Sequence, residues 1–168
     1  MPSEHYRRLI WEGLLEADFR ARYFGHLTGR IRSRERYLTI LIGVLSSGAF
    51  VSFVLKLQVS LLPPALSLLS AIFSVVLASL KLGEGASVSA SLYDKWSSLK
   101  DRYEFLWGEL DGLSTEDAGR RWLELESEHK EADKLAVKEF RLDRKLAAAC
   151  QADVLRARRL DEGLARAA

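Results

Sequence analysis

Side chains capable of acid–base, nucleophilic or metal chemistry are sparse in this 168-residue chain, and they stand apart from one another. His5, His26 and His129 are too widely separated to form a ligand cluster, and the single cysteine, Cys150, excludes an internal disulfide and a CxxC metal site. No nucleophile is accompanied by a base, and no carboxylate pair has a spacing suited to acid–base work. The run Gly83–Glu84–Gly85–Ala86–Ser87 lacks the preceding strand and the Gly-Lys-Ser/Thr element of a phosphate loop. The sequence therefore predicts no catalytic residue, no metal site and no cofactor, and a reducing compartment. With 25 basic and 23 acidic residues its formal net charge is +2, so composition does not predict nucleic acid as a partner.

The pattern that remains is made of small and hydroxylic residues. Ser67, Ser70, Ala71, Ser74 and Ala78 fall at offsets 0, 3, 4, 7 and 11, a single stripe of a helix, and Lys81 continues it. Leu69, Ile72, Phe73, Val76 and Leu80 take the other side. A less complete counterpart stands upstream in Thr39, Gly43, Ser46 and Ser47, with Gly48 and Ser52 on a different face. In lipid such stripes have two physical meanings. Small residues let helix backbones approach closely, and a serine-lined helix repeated around a symmetric ring lines a water-filled path. A two-helix hairpin is too thin to enclose a channel alone, so the pore reading requires a homo-oligomer.

The element that must carry these stripes is an apolar block. From Tyr37 to Leu80 the only charge is Lys56, which separates uncharged runs of 19 and 24 residues. Each is long enough to span a bilayer of about 30 Å hydrocarbon thickness at about 1.5 Å rise per residue. Pro63 and Pro64 suit the first turn of a second helix, which places a tight turn between Lys56 and Leu62. The competing reading is a hairpin buried in a water-soluble core, but two such runs in succession favour the membrane. Arg30, Arg32, Arg34 and Arg36 precede the first run, and Lys81, Lys95 and Lys100 follow the second. The basic residues thus predict a membrane protein with both termini cytoplasmic. A cleaved signal peptide is not expected, because 36 residues containing five acids precede the apolar run.

The flanking segments read as amphipathic helices, giving an all-α protein with three parts: an N-terminal helix and basic approach over 1–36, a two-helix transmembrane hairpin over 37–81, and a C-terminal helical region over 82–168. Ile10, Leu14, Ala17, Ala21 and Phe24 make one apolar stripe over residues 4–24, expected to dock on the C-terminal helices, with a break at Gly25 and Gly29. Gly83 and Gly85 form a candidate hinge. Leu92, Trp96, Leu99, Tyr103, Leu106 and Leu110 step by 4, 3, 4, 3 and 4, a heptad seam that Tyr93 and Trp107 widen. The chain should turn at Asp111–Thr115, with Ser114 and Asp117 forming a capping box. Ala118, Trp122, Leu125, His129, Ala132 and Ala136 then repeat the same steps, so this helix can return antiparallel to the one before it. His129 on that seam is either a satisfied core residue or a pH sensor. Beyond Phe140 a looser pattern through Leu142, Leu146, Cys150, Val154 and Leu160, without proline, predicts a long or kinked continuation. The arginines among them either face solvent or meet an anionic partner.

In this order of elements, in the aromatic pattern of Trp96, Tyr103 and Trp107 within LYDKWSSLKDRYEFLWGEL, and in the segment Ser114–His129 with Trp122, the chain resembles the SLATT family. These are two-transmembrane effectors associated with SMODS nucleotidyltransferases and SLOG domains in prokaryotic conflict systems. The resemblance implies an oligomeric inner-membrane effector of antiphage defence that forms pores or otherwise disrupts the membrane when a partner sensor protein or nucleotide second messenger signals infection. It assigns no nucleotide-binding residue, and the chain carries no sensor domain of its own. The alternative is a membrane-anchored scaffold whose C-terminal helices recruit a cytosolic partner.

Overall fold

A computed structural model of the chain describes residues 4–46, 71, 75 and 82–158, with positions 45, 46, 82, 83 and 139 described by backbone alone. The protein is all-helical: α1 spans Glu4–Ser46, α2 Leu82–Glu109, α3 Thr115–Glu139 and α4 Arg144–Ala157, with a 3-10 turn at Leu110–Gly112. Among the described residues no helix is long and apolar enough to cross a membrane. Most of the expected hairpin over 37–81 lies outside the described residues. The chain divides into two compact units, Met1–Leu27 with Val88–Ala168, and Thr28–Ser87.

The first unit is a four-helix bundle, and its faces follow the apolar periodicity. Ile10, Leu14, Ala17, Ala21 and Phe24 of α1 are all buried, as are Leu92, Trp96, Leu99, Tyr103, Leu106 and Leu110 of α2. On α3, Ala118, Leu125, His129, Ala132 and Ala136 are buried and Trp122 is partly so. Leu146, Cys150 and Val154 complete the core from α4. Burial of a large apolar side chain contributes roughly 1.5–3 kcal/mol, so the fully enclosed Trp96, Tyr103, Phe24, Ile10, Leu14 and Leu92 dominate the packing.

Contacts fix the directions of the helices. Trp11 stacks on Trp107 and Gly25 lies beneath Tyr93, so α1 and α2 run antiparallel. Arg121 pairs with Glu109, and Arg102 with Glu128, so α2 and α3 form the expected antiparallel hairpin. Its turn is built as the sequence indicates: the Asp117 N–H donates to the Ser114 hydroxyl at 3.1 Å, capping α3. Close approach of α1 requires glycine at two points. A Cβ at Gly13 would stand 2.7 Å from the Tyr103 ring, and one at Gly119 2.7 Å from the Tyr6 hydroxyl.

One expectation is corrected. α1 does not break at Gly25 and Gly29 but continues to Ser46, because Gly25 serves packing against the Tyr93 ring, 3.3 Å from a Cβ placed there. Gly83 and Gly85, the candidate hinge, lie in the first turn of α2 and are helical. Two helical glycines cost about 1 kcal/mol each relative to alanine, less than the packing of a 28-residue helix returns. The long or kinked continuation expected beyond Phe140 takes the form of an interruption at 140–143 followed by the separate helix α4. The Asp143 carboxylate accepts from the N–H groups of Lys145 and Leu146, and its own N–H donates to the Tyr23 hydroxyl at 2.9 Å. Phe140 meets Phe24 edge-on, which anchors the corner to α1.

Candidate functional site

Of the small-residue stripe assigned to the second membrane helix, Ala71 alone falls among the described residues, where it is helical and exposed. Ser67, Ser70, Ser74, Ala78 and Lys81 lie outside them, as does Ser47 of the first stripe. Thr39 and Gly43 are exposed on α1, and Ser46 ends that helix. The Thr39 hydroxyl donates to the Glu35 carbonyl at 2.9 Å, within its own helix. Around these residues α1 carries an exposed apolar surface made by Tyr37, Ile40, Leu41 and Val44, with Tyr37 exposed by 75%.

The bundle assembles what the sequence left separate. Trp96, Tyr103 and His129 come from facing seams and meet edge to face, with ring centroids 4.9 Å apart for Trp96 and His129 and 6.3 Å for Tyr103 and His129. α1 brings two charges to the same place. Glu16 Oε2 lies 3.5 Å from His129 Nε2, and Arg20 sits over the Trp96 ring while its Nη2 reaches Asp133 at 2.9 Å and Glu16 at 3.2 Å. Contact with His129, then Arg20, holds the Glu16 carboxyl down at about 2 against the opposing effect of burial. Burial, followed by the charges of Glu126 and Glu16, pushes the Tyr103 phenol well above its ordinary range, so it stays neutral. Trp96 Nε1, Tyr103 Oη and His129 Nδ1 are buried and make no hydrogen bond among the described residues.

A second polar knot lies at the other edge of α1. Asp18, 4% exposed, accepts from Arg22 Nε at 2.7 Å and from Arg158 Nη2 at 3.0 Å. Arg158 also pairs with Glu104, so one guanidinium joins α1 and α2 to the end of α4. Burial works to raise the Asp18 carboxyl, but Arg22 and Arg158 outweigh it and hold it below the usual carboxylate range. Sequence reasoning missed both clusters. The i, i+4 spacing of Asp18 and Arg22, with Asp18 beside the apolar stripe, is the signal that marks the second.

Chemically, these clusters clamp helix against helix. Among the described residues no group of three His, Cys, Asp or Glu side chains gathers as metal ligands. Between α2 and α3 runs an open groove of about 640 Å³, lined by Tyr93, Asp101, Phe105, Arg121 and Glu124 among others. Phe105, a large aromatic side chain, is 64% exposed there.

Compared with known proteins, the chain matches no family model, no curated protein and no solved structure.

Proposed function

We propose that this chain is an oligomeric inner-membrane effector of prokaryotic antiphage defence, which permeabilises the membrane when a partner sensor or nucleotide signal acts on its helical bundle. The observation that carries the reading is the surface of α1 beyond Arg36. There Tyr37, Ile40, Leu41 and Val44 stand exposed on a helix that enters the 44-residue block holding Lys56 as its one charge. Lipid is the environment that accepts such a surface without a protein partner. The resemblance to SLATT effectors agrees with this placement. The bundle supplies a rigid cytoplasmic body, and the Ser67–Ala78 stripe lines the path once several hairpins associate.

The test is dye release from liposomes containing the full-length protein, beside a variant carrying Ser70→Leu and Ser74→Leu at matched incorporation and oligomer size. Release by the native chain and its loss in the variant support a conducting face. No release under any triggering condition sinks the proposal.

A scaffold is the second reading, and the groove with Tyr93 and Phe105 favours it. In that case the bundle joined to an unrelated membrane anchor keeps full activity, which a pore former loses.

A further inference from the structure

We infer that the arginine collar of α1 is a binding site for anionic phospholipid headgroups, so that the protein selects acidic lipid where it meets the membrane. The inference rests on the membrane reading of the segment that follows the collar.

On a single helix the arginines divide by environment. Arg7, Arg8, Arg20 and Arg22, within the bundle, each meet a carboxylate. Arg32, Arg34 and Arg36 are exposed and, among the described residues, meet none. At about 100° per residue Arg32 and Arg36 share one side of the helix and Arg34 takes the opposite side, so positive charge encircles α1. Glu35 is the single acid within this stretch, and its backbone carbonyl is engaged by Thr39.

Distance along the helix supplies the second argument. Arg32 to Arg36 spans about 6 Å at about 1.5 Å per residue, which matches the interfacial layer of roughly 5–8 Å on each side of the hydrocarbon. The next residue is Tyr37, an amphipathic ring of the kind that sits at headgroup level. Ile40, Leu41 and Val44 follow, exposed and apolar. Thr39 between them has turned its hydroxyl onto its own helix, which removes the need for an outside partner. Charge, aromatic ring and apolar surface thus succeed one another in the order that phosphate, glycerol and acyl chain do. A guanidinium with no carboxylate partner offers paired N–H donors to a phosphate oxygen pair, a fit that a neutral zwitterionic headgroup weakens through its own ammonium.

The experiment attaches an environment-sensitive dye beside the collar. Ser33 is exposed and the single native thiol, Cys150, is fully buried, so Ser33→Cys labels one site. The labelled full-length protein is placed in phosphatidylcholine vesicles containing rising fractions of acyl-brominated phosphatidylglycerol or acyl-brominated phosphatidylcholine, and quenching is followed. With about fivefold preference per arginine (~1 kcal/mol), half-maximal quenching should need at least about tenfold less brominated phosphatidylglycerol. The combined Arg32→Gln, Arg34→Gln and Arg36→Gln variant should bring the ratio to about one, whereas lysine at the three positions keeps most of it. Helicity and tryptophan emission of the glutamine variant are checked first, since all four tryptophans lie in the bundle and not at the collar. Equal quenching by both lipids, or a preference that survives in the glutamine variant, overturns the inference and leaves the membrane reading intact. Quenching by neither lipid overturns the membrane reading itself and this inference with it.

Discussion

Gly13→Ala isolates the closest approach in the bundle. The added methyl would lie 2.7 Å from two carbons of the Tyr103 ring and 3.0 Å from its hydroxyl. Tyr103 is fully enclosed, with His129 edge-on to its face, so the ring has little room to withdraw. Overpacking of this kind costs typically 1–3 kcal/mol, while alanine in place of glycine in a helix returns about 1 kcal/mol. The net expectation is a loss of roughly 1 kcal/mol. The companion is Gly108→Ala on α2, where a Cβ meets nothing within 4 Å and only the propensity gain of up to about 1 kcal/mol remains. For a bundle of about 100 residues each kcal/mol moves Tm by about 4–8 °C, so the two variants should separate by about 8 °C or more. Tryptophan emission of full-length protein in mild detergent follows the melt, because Trp11, Trp96, Trp107 and Trp122 all lie in the bundle. Equal Tm shifts for the two variants would show that α1 does not seat on Tyr103 as described. A cycle with Tyr103→Leu adds a check: removing the ring should abolish most of the Gly13→Ala penalty.

Tyr103→Phe keeps the ring and deletes a buried hydroxyl without a hydrogen bond among the described residues, so it should leave stability unchanged or raise it by about 1 kcal/mol; a loss above that in the same melt would place a partner on the hydroxyl. Asp18→Asn removes the charge that Arg22 and Arg158 share, and should cost about 2 kcal/mol, reduced from the fully buried case because both arginines reach solvent. In the same variant α4 should show faster amide exchange than α2, and uniform exchange across the two would contradict the bridging role of Arg158. For acid pH the sign follows from lowered carboxyls. Glu16 and Asp18 contribute stability that is complete above their ordinary values of 4.5 and 3.8 and is lost as pH falls through their folded values, about 2 for Glu16. Tm should therefore fall between about pH 5 and pH 2, and Glu16→Gln should flatten that slope by about 1 kcal/mol, a figure kept small because Glu16 is half exposed.

By itself the sequence determined which face of each helix is buried. A 4, 3, 4 spacing leaves a helix one apolar side, and Leu92 through Leu110, Ala118 through Ala136 and Ile10 through Phe24 go inside for that reason. The turn after α2 was legible too, since Ser114 and Asp117 act within four residues of one another. The membrane assignment of 37–81 rests on composition and spacing together with the exposed apolar surface of α1 beyond Arg36, and the hinge role of Gly83 and Gly85 on spacing alone.

Tertiary structure decided whatever depends on a neighbour distant in the chain. At Phe140–Asp143 the local contribution is the Asp143 carboxylate, which caps the restart of the helix, while from a distance the Tyr23 hydroxyl accepts the Asp143 N–H and Phe24 receives the Phe140 ring. Gly25 reads as a helix breaker until Tyr93 is found packed over it. The joining of Glu16 and Arg20 to His129 and Asp133, and of Asp18 to Arg158, likewise needs three helices in register. Periodicity gives each helix a buried side but no partner, and which charges share that side is settled when the helices pack, where an unpaired charge costs most.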